Sequence, residues 1–410
     1  MNVGLRVSSP VHEGRGSGAV WRPEKIANDS PQGTIRLGQS NARDPVEAVR
    51  DLQRQLAQPD AELVIMFCSP SFDLDALGAE INCAFPDVRV VGCTTAGEIG
   101  PLGYLDSSLS GVSLPSDHFT VVTGHLDRVR QSTTARAEAF VGRLLGQLEG
   151  RAPYARESDT FAFQLVDGLC MREELITNAF QHALGRIPLV GGSAGDAENF
   201  GRTYVFSGGR FREDSALLVV AATTLPFMTF STRHFASTEQ RAVVTAADPA
   251  TRTVMEIDAL PAVEGYAQLV GATADKLDAA FFSSHPIVVR IGGADHSRSI
   301  QKVNPDGSLT LYCAIEEGVV LRAAVRGDLV ADLEAAFEHV RSGVGAPSLV
   351  LACDCILRTL EISKDGLKER VTDLFRRHNA VGFSTYGEQL GGVHMNQTLT
   401  GLAFGRGEES

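Results

Sequence analysis

The sequence lacks the features that would place it among nucleic-acid-binding, membrane-spanning or secreted proteins. Acidic residues outnumber basic residues by 50 to 37, which gives a formal net charge of −13 over 410 residues. Nucleic acids and anionic membrane surfaces attract proteins with the opposite balance. No run of 18 apolar residues is present, and residues 1–18 contain no apolar core of a signal peptide. We therefore expect a cytoplasmic protein that neither spans a membrane nor binds nucleic acid.

Cysteine is scarce and shows no pattern typical of disulfides. The seven cysteines are an odd number, most of them lie in apolar runs, and none forms a C-x-x-C pair. These features favour buried, reduced thiols. Cys353 and Cys355 form the sequence CDC, and on a strand their side chains would share one face. We interpret this pair as core residues, with a metal or redox role as the alternative.

The signatures of common enzymes are missing as well. The sequence contains no G-x-G-x-x-G after a strand, no Walker A motif, no H-E-x-x-H and no G-x-S-x-G. Its ten histidines do not have the spacing of a multi-ligand metal site. A single histidine can still bind haem iron, because the macrocycle supplies the other in-plane ligands. We therefore expect a protein that is not an enzyme.

Glycine, by contrast, is plentiful, and part of it belongs to a repeated motif. VGCTTAGE at 91–98 and VGFSTYGE at 381–388 share the pattern Val-Gly-x-Ser/Thr-Thr-x-Gly-Glu, and VGGSAGD at 190–196 is a shorter variant. About 30 residues before each copy, an apolar run predicts a buried strand, and a helical pattern lies between. That length is typical of a β-α-β unit. The motif therefore marks the turn that ends a repeated unit.

These patterns predict an α/β fold with mixed sheets, built from repeated β-α-β-β units in two pseudo-similar halves and layered with helices. We expect a mobile arm over residues 1–34 and two domains over 35–225 and 226–410. Asp44 and Pro45 are suited to the N-cap and first position of a helix. A Gly-Gly pair predicts a hairpin turn within 203–224, and a helix is expected over 363–378.

The combination of motifs resembles the FIST proteins, a family of intracellular sensory modules with an N-terminal and a C-terminal homology region. The resemblance extends over about residues 45–405 and implies that 35–225 and 226–410 are the two FIST domains. The segments that carry it are VVGCTTAGEIG (90–100), PLVGGSAGD (188–196), RTYVFSGGRFREDSALLV (202–219), SLVLACDCILR (348–358) and GFSTYGEQLGGVHMNQTLTGLAFG (382–405).

The last of these segments is similar to the branch of FIST proteins described as haem-binding nitric-oxide sensors, the NosP group. The similarity implies haem as the cofactor and nitric oxide as the sensed ligand. It also implies a separate partner, either a histidine kinase or an enzyme of cyclic-di-GMP turnover. A homo-oligomer is compatible with this arrangement. The alternative is a FIST sensor without haem that binds an amino acid or another small polar ligand.

The predicted haem site centres on His394 as the axial ligand of iron, since it lies between a glycine pair and a terminal strand. Glu388 or Asn396 would orient the imidazole, and Phe383 would supply apolar wall. The other candidates are Tyr386 beside these residues, Arg233 and Arg298 for the haem propionates, and His234 and His296 as reserve ligands.

A third hypothesis is an enzyme. It would use Cys353 and Cys355, or the glutamates Glu98 and Glu388 of the two full motif copies. Two carboxyl groups placed alike on duplicated turns would act as an acid and base pair if they faced one cleft.

Overall fold

The structure is a computed structural model that describes residues 33–291 and 293–407. The mobile arm predicted for residues 1–34 therefore falls almost wholly outside the described residues. Most of the described chain consists of three similar units, each with the order strand, helix, strand, helix, strand, hairpin, strand. The first unit comprises β1 (Arg36–Ser40), α1 (Pro45–Leu56), β2 (Ala61–Cys68), α2 (Leu74–Ala84), β3 (Val90–Thr94), β4 (Glu98–Gly100), β5 (Gly103–Leu105) and β6 (Leu109–Pro115).

The second unit repeats this order without an interruption. It comprises β7 (Phe119–Asp127), α3 (Thr134–Arg151), β8 (Thr160–Val166), α4 (Glu173–Leu184), β9 (Leu189–Ser193), β10 (Val205–Ser207), β11 (Arg210–Arg212) and β12 (Ser215–Thr223). The predicted Gly-Gly hairpin turn is confirmed between β10 and β11, where Gly208 and Gly209 have φ of +56° and +77°. Positive φ at both central residues is the geometry of the type I′ turn.

The third unit begins with β13 (Phe227–Thr232) and is then interrupted by an insertion, Phe235–Arg326, with a sheet and a core of its own. The insertion comprises β14 (Phe235–Asp248), β15 (Thr253–Ile257), β16 (Leu260–Pro261), α5 (Ala262–Val270), α6 (Ala279–Ser284), β17 (Ile287–Ile291), β18 (Ala294–Arg298), β19 (Ile300–Val303), β20 (Leu309–Leu311) and β21 (Val320–Arg326). The unit then continues with α7 (Leu329–Val344), β22 (Leu349–Cys355), α8 (Ile356–Lys364), α9 (Lys368–Arg377), β23 (Ala380–Thr385), β24 (Glu388–Leu390), β25 (Val393–Met395) and β26 (Leu399–Phe404).

Each unit completes a six-stranded sheet with the hairpin of another unit. The strand orders are β1-β6-β2-β3-β10-β11, β7-β12-β8-β9-β24-β25 and β13-β26-β22-β23-β4-β5. The pairs β2–β3, β8–β9 and β22–β23 are parallel, and their neighbours in the three sheets are antiparallel. The first sheet takes its hairpin from the second unit, the second from the third, and the third from the first. This exchange closes the three units into a ring.

The predicted mixed α/β fold with repeated β-α-β-β units is confirmed. The structure has three units where two halves were expected, because the VGGSAGD variant ends a complete unit of its own, the second along the chain. That unit is hard to recognise in the sequence because its turn lacks the terminal glutamate and because eight residues, 197–204, separate it from its hairpin.

Two helix predictions have different outcomes. The helix that begins at Pro45 is confirmed, with Asp44 Oδ1 accepting a hydrogen bond of 3.0 Å from Glu47 N as its N-cap. The helix expected over 363–378 is confirmed as α9 over Lys368–Arg377, but its start is wrong, because residues 363 and 364 belong to the end of α8. Gly366, with φ of +67°, lies between them and ends the first helix.

The inner faces of the three sheets share one apolar core, and helices cover their outer faces. Phe67 of the first unit stacks on Phe383 of the third with ring centroids 4.6 Å apart. Burial of one such side chain stabilises the fold by about 1.5–3 kcal/mol. Across the residues that the structure describes, no helix combines the length and apolar character needed to cross a lipid bilayer.

Candidate functional site

The three glycine-rich turns meet and bind one another. Gly97 and Gly387 take φ of +143° and +151°, a conformation that side chains disfavour. Three backbone hydrogen bonds of 2.9 Å join the turns in a ring: Ala96 N to Ser384 O, Gly195 N to Thr94 O, and Ser193 N to Gly387 O. The first role of the repeated motif is therefore to lock the three units together.

The first glycine of each motif copy is required by packing against the neighbouring parallel strand. A Cβ atom on Gly92 would lie 2.1 Å from the carbonyl oxygen of Met66, and one on Gly382 would lie 1.8 Å from that of Ala352. Gly191 repeats this contact in the second unit. No side chain fits at such distances, so only glycine allows the two strands to pair.

The glutamates of the two full copies are buried and make matching contacts. Glu98 accepts hydrogen bonds from Thr95 Oγ1 (2.5 Å) and from Ser108 N and Oγ (both 2.7 Å). Glu388 accepts from Thr385 Oγ1 (2.5 Å) and from Thr398 Oγ1 (2.7 Å). Burial raises the pKa of Glu98 to about 7 and that of Glu388 to about 8. Each carboxyl therefore closes its own hairpin, and only Glu98 lines one of the three cavities described below.

His394 lies on β25 inside the protein, with 2% of its surface exposed. Its Nδ1 is 3.1 Å from Gln389 Nε2, while its Nε2 has no hydrogen-bond partner. Burial lowers the pKa of His394 to about 4; the carboxylate of Glu174 opposes this shift, and the guanidinium groups of Arg252 and Arg298 add to it. The imidazole is therefore neutral at physiological pH and offers a nitrogen lone pair to a ligand.

Two side chains from other parts of the chain approach His394. Glu174 of α4 and Cys313, just after β20, place one ligating atom each within 4.8 Å of one another and of a ring nitrogen of His394. Glu174 Oε1 accepts a 2.7 Å hydrogen bond from Ala314 N, and its Oε2 is 2.8 Å from Arg252 Nη2. Sequence reasoning missed both residues, since neither lies in a motif and each is far from His394 along the chain.

The other residues predicted for the site lie in separate surroundings. Asn396 stays with the His394 group, because its Oδ1 accepts a 2.8 Å hydrogen bond from Cys313 Sγ. Phe383 belongs to the central core. Tyr386 stacks on Phe200 with centroids 4.5 Å apart and donates a hydrogen bond to Asp196. Phe383 and Tyr386 are therefore held by contacts that do not involve His394.

The arginines predicted to contact the haem propionates and the histidines predicted as reserve axial ligands also lie away from His394 in their contacts or are exposed. Arg233 is exposed and donates to the carbonyl oxygen of Asp295. His234 has both ring nitrogens occupied, one by Glu361 at 2.9 Å and the other by Arg358 at 3.2 Å. His296 is half-buried on β18, and Arg298 at the end of the same strand is buried.

Cys353 and Cys355 are buried and free, as predicted for core residues. Cys353 packs in the central core, and Cys355 packs in a small cluster beside Tyr386. Of the seven cysteines only Cys83 is exposed, and all seven are free thiols. The burial expected for most of the cysteines is confirmed.

The surroundings of His394 do not fit a haem in this structure. The best-formed cavities among the described residues have volumes of about 240, 240 and 540 Å³, and His394 is not in their walls. A Cβ atom on Gly387 would lie 2.7 Å from His394 Nε2, so the backbone of the turn packs directly against that nitrogen. A flat macrocycle needs an apolar slot at this position.

Two of the cavities flank helix α8 and share Leu360 in their walls. The first, which we name the insertion cleft, lies between the insertion and α8. It has a volume of about 240 Å³ and is lined by Ser283, Ser284, Ile300, Gln301, Tyr312, Arg326, Leu357, Leu360, Glu361 and Lys364. The second lies on the other side of α8 and is lined by the first motif turn, including Thr95, Gly97 and Glu98.

A chain of buried charges leads from the insertion cleft into the third sheet. Glu361 contacts His234, His234 contacts Arg358, and Arg358 Nε donates to Asp354 Oδ1 at 2.6 Å. The Arg358 and Asp354 side chains are completely buried. Burial raises the pKa of Asp354, and the guanidinium of Arg358 opposes this shift. Asp354 lies on β22, next to Ser384 of the third motif copy.

Comparison with known proteins identifies the family of the chain. The FIST N domain matches residues 62–260, and the FIST C domain matches residues 262–390. The chain therefore belongs to the FIST family of sensory domain proteins, and it carries both FIST domains in tandem. No curated protein matches the chain. Among solved structures, a cyanuric acid hydrolase from A. caulinodans aligns over 91% of this chain and 99% of its own, at 10% identity and a TM-score of 0.34.

Proposed function

We propose that this FIST protein senses a small polar ligand of amino-acid size, which binds in the insertion cleft. The observation that supports this most directly is a cleft with both charge signs and an apolar wall. Its volume of about 240 Å³ is below the range of about 300–1,000 Å³ that is usual for drug-sized ligands. Clefts at the interface between two domains are common ligand sites, and this cleft lies between the insertion and the rest of the third unit.

The charges of the cleft suit a zwitterion. Lys364 is exposed in the last turn of α8 and has no ion pair among the described residues. Arg326 Nη2 is 2.7 Å from Glu361 Oε1 and also contacts Asp365. A ligand carboxylate would pair with Lys364 and Arg326, while its ammonium group would approach Glu361. Leu357 and Leu360 would contact an apolar ligand side chain.

The chain of buried charges from Glu361 to Asp354 connects the cleft with the third sheet. A ligand that competes for Glu361 changes the environment of His234 and Arg358, and through them that of Asp354 on β22. Such a ligand can bias the protein only by its difference in affinity for two states. We propose that the protein is not itself an enzyme and that a separate signalling protein, a histidine kinase or an enzyme of cyclic-di-GMP turnover, reads these states.

The test is a thermal-shift and calorimetric screen of the twenty amino acids against the full chain. A ligand at 100 times its dissociation constant stabilises the folded protein by about 2.7 kcal/mol. We expect at least one amino acid to raise the Tm, and we expect Lys364→Gln to weaken its binding. Lys302→Gln changes an exposed lysine outside the cleft and serves as the control. No shift with any amino acid, or equal binding by both variants, would contradict the proposal.

The second candidate is the haem-based nitric-oxide sensor that the sequence resembles. The unpartnered Nε2 of buried, neutral His394 favours it, because an axial ligand requires such a nitrogen. The turn around Gly387 would have to move away from the imidazole. The test is an absorption spectrum after haem loading, with and without nitric oxide, of the parent, His394→Ala and the exposed control His182→Ala. A Soret band that responds to nitric oxide and depends on His394 alone would establish this candidate over the first.

A further inference from the structure

We propose that Glu174, Cys313 and His394 form a binding site for a single divalent transition-metal ion of the Zn²⁺ class. The site lies apart from the insertion cleft, and binding there does not depend on the ligand proposed above. One oxygen, one sulfur and one nitrogen converge within 4.8 Å. Carboxylate, thiolate and imidazole are the three ligand types that zinc takes in proteins.

The geometry needs only a small adjustment to hold an ion. Metal–ligand bonds of about 2.0–2.3 Å in a tetrahedron place neighbouring ligand atoms about 3.3–3.8 Å apart. The three ligand atoms lie within 4.8 Å of one another, so they would have to come about 1 Å closer together to bind one ion. Glu174 has the most room to adjust, since it is the only one of the three that is not fully buried.

His394 is the residue that most needs an explanation. A buried polar atom without a partner costs about 1–3 kcal/mol, and His394 Nε2 is such an atom. An ion bound through Nε2 would satisfy it. A metal-bound imidazole normally donates its other N–H to an oxygen. Gln389 Oε1 is also buried without a partner, and half a turn of the Gln389 amide would bring this oxygen toward His394 Nδ1.

The charges of the three ligands balance a divalent ion. A thiolate at Cys313 and the carboxylate of Glu174 together supply two negative charges. The positive charge of Arg252 is offset by Glu173, whose Oε2 is 2.5 Å from Arg252 Nη2. Asn396 Oδ1, 2.8 Å from Cys313 Sγ, would accept the thiol hydrogen only in the metal-free protein.

The site connects three parts of the fold. Glu174 comes from the second unit, Cys313 from the insertion and His394 from the third unit. Three protein ligands leave a fourth position open, as in zinc sites that exchange a water or a ligand. Metal binding would therefore tie the insertion to the ring, and it would stabilise the folded state by mass action.

The test uses Co²⁺ as a spectroscopic probe of the full chain after dialysis against a chelator. A cobalt–thiolate bond gives a charge-transfer band in the near ultraviolet. We expect one Co²⁺ per chain, displacement by Zn²⁺, and loss of the band in Cys313→Ser. The control Cys83→Ser, which changes the exposed cysteine, should keep the band. We expect Glu174→Gln and His394→Gln to weaken Co²⁺ binding by at least about tenfold.

The result that would overturn the proposal is a parent protein without the band, or a band that Cys313→Ser retains. If Cys313→Ser fails to fold, the Co²⁺ titration of Glu174→Gln decides, because Glu174 is partly exposed and glutamine can still accept the hydrogen bond from Ala314 N. If Glu174→Gln had the same Co²⁺-binding midpoint as the parent protein, the proposal would be wrong. Lys364→Gln should bind Co²⁺ normally, which separates this result from failure of the ligand proposed for the insertion cleft.

Discussion

The hairpins of the first and third units share one framework and differ in the side chains that they present. Residues 98–109 and 388–399 correspond without a gap, and strand pairing places Glu98 opposite Leu105 and Glu388 opposite Met395. In this alignment Tyr104 corresponds to His394. Tyr104 has a partner, since its hydroxyl lies 2.5 Å from Thr359 Oγ1, whereas His394 Nε2 has none.

A further difference lies beside these residues. Ile99 in the first unit corresponds to Gln389 in the third, so an apolar contact is replaced by the group that touches the His394 ring. In the second unit the hairpin position equivalent to Tyr104 and His394 is Phe211, which packs on Phe206. Tyr104 is thus satisfied by a hydrogen bond and Phe211 by packing, whereas His394 is an unsatisfied imidazole. Among these three, the one side chain able to bind a ligand therefore lies at a position where the three hairpins differ. The motif that the units share has a structural role.

The largest effect is expected from the first glycine of the motif. Gly382→Ala places a Cβ atom 1.8 Å from a backbone oxygen that cannot move without breaking the β22–β23 pair. We expect a loss of more than about 3 kcal/mol in the free energy of unfolding, or failure to fold. Gly92→Ala should behave in the same way. Gly146→Ala, on an open face of α3, should instead stabilise by about 0.5–1 kcal/mol in denaturant unfolding. Equal stabilities for all three would contradict the strand-contact argument.

A smaller effect is expected from the two buried glutamates, and it depends on pH. Their pKa values are raised in the folded state, to about 7 and about 8, so between about pH 4.5 and pH 8 the folded protein binds more protons than the unfolded chain. Stability from these groups is therefore full below pH 4.5 and is lost as the pH rises toward 8.

Glu388→Gln keeps a hydrogen-bonding side chain of the same size and cannot ionise. We expect it to remove part of the decline in the free energy of unfolding between pH 5 and pH 8, on the order of 1–3 kcal/mol. Glu98→Gln should remove a smaller part, because the pKa of Glu98 is raised less. Denaturant unfolding at several pH values measures this. A parent protein whose stability rises over this range would show that the carboxyls ionise freely in the fold.

The smallest effect is expected at the tyrosine that corresponds to His394. Tyr104→Phe removes the hydroxyl that contacts Thr359, at a cost of about 0.5–1.5 kcal/mol in the free energy of unfolding. Tyr154→Phe, at a fully exposed tyrosine, is the control and should be neutral. Neither variant should change Co²⁺ binding. A change in Co²⁺ binding by Tyr104→Phe would mean that the two hairpins are not independent.

The sequence was informative about local structure and about the family. Strands β2, β8 and β22, the helix after Asp44 and the Gly-Gly hairpin follow from apolar periodicity and turn chemistry, which act over a few residues. It was less informative about the site. His394 was found because it lies within a motif, but Glu174 and Cys313 come from elements 220 and 81 positions earlier. Phe383, although in the motif, is a core residue because strand alternation turns it inward.

The amino-acid sequence alone therefore determined the α/β class, the repeated unit and the position of each turn, because these depend on neighbouring residues. Only the tertiary structure decided that three units exchange hairpins in a ring. It also decided that a backbone carbonyl oxygen packs against the first glycine of each motif, and that a glutamate, a cysteine and a histidine meet. Each of these facts depends on contacts between residues far apart in the chain. Such contacts are set by how buried faces fit together, and no local pattern encodes that fit.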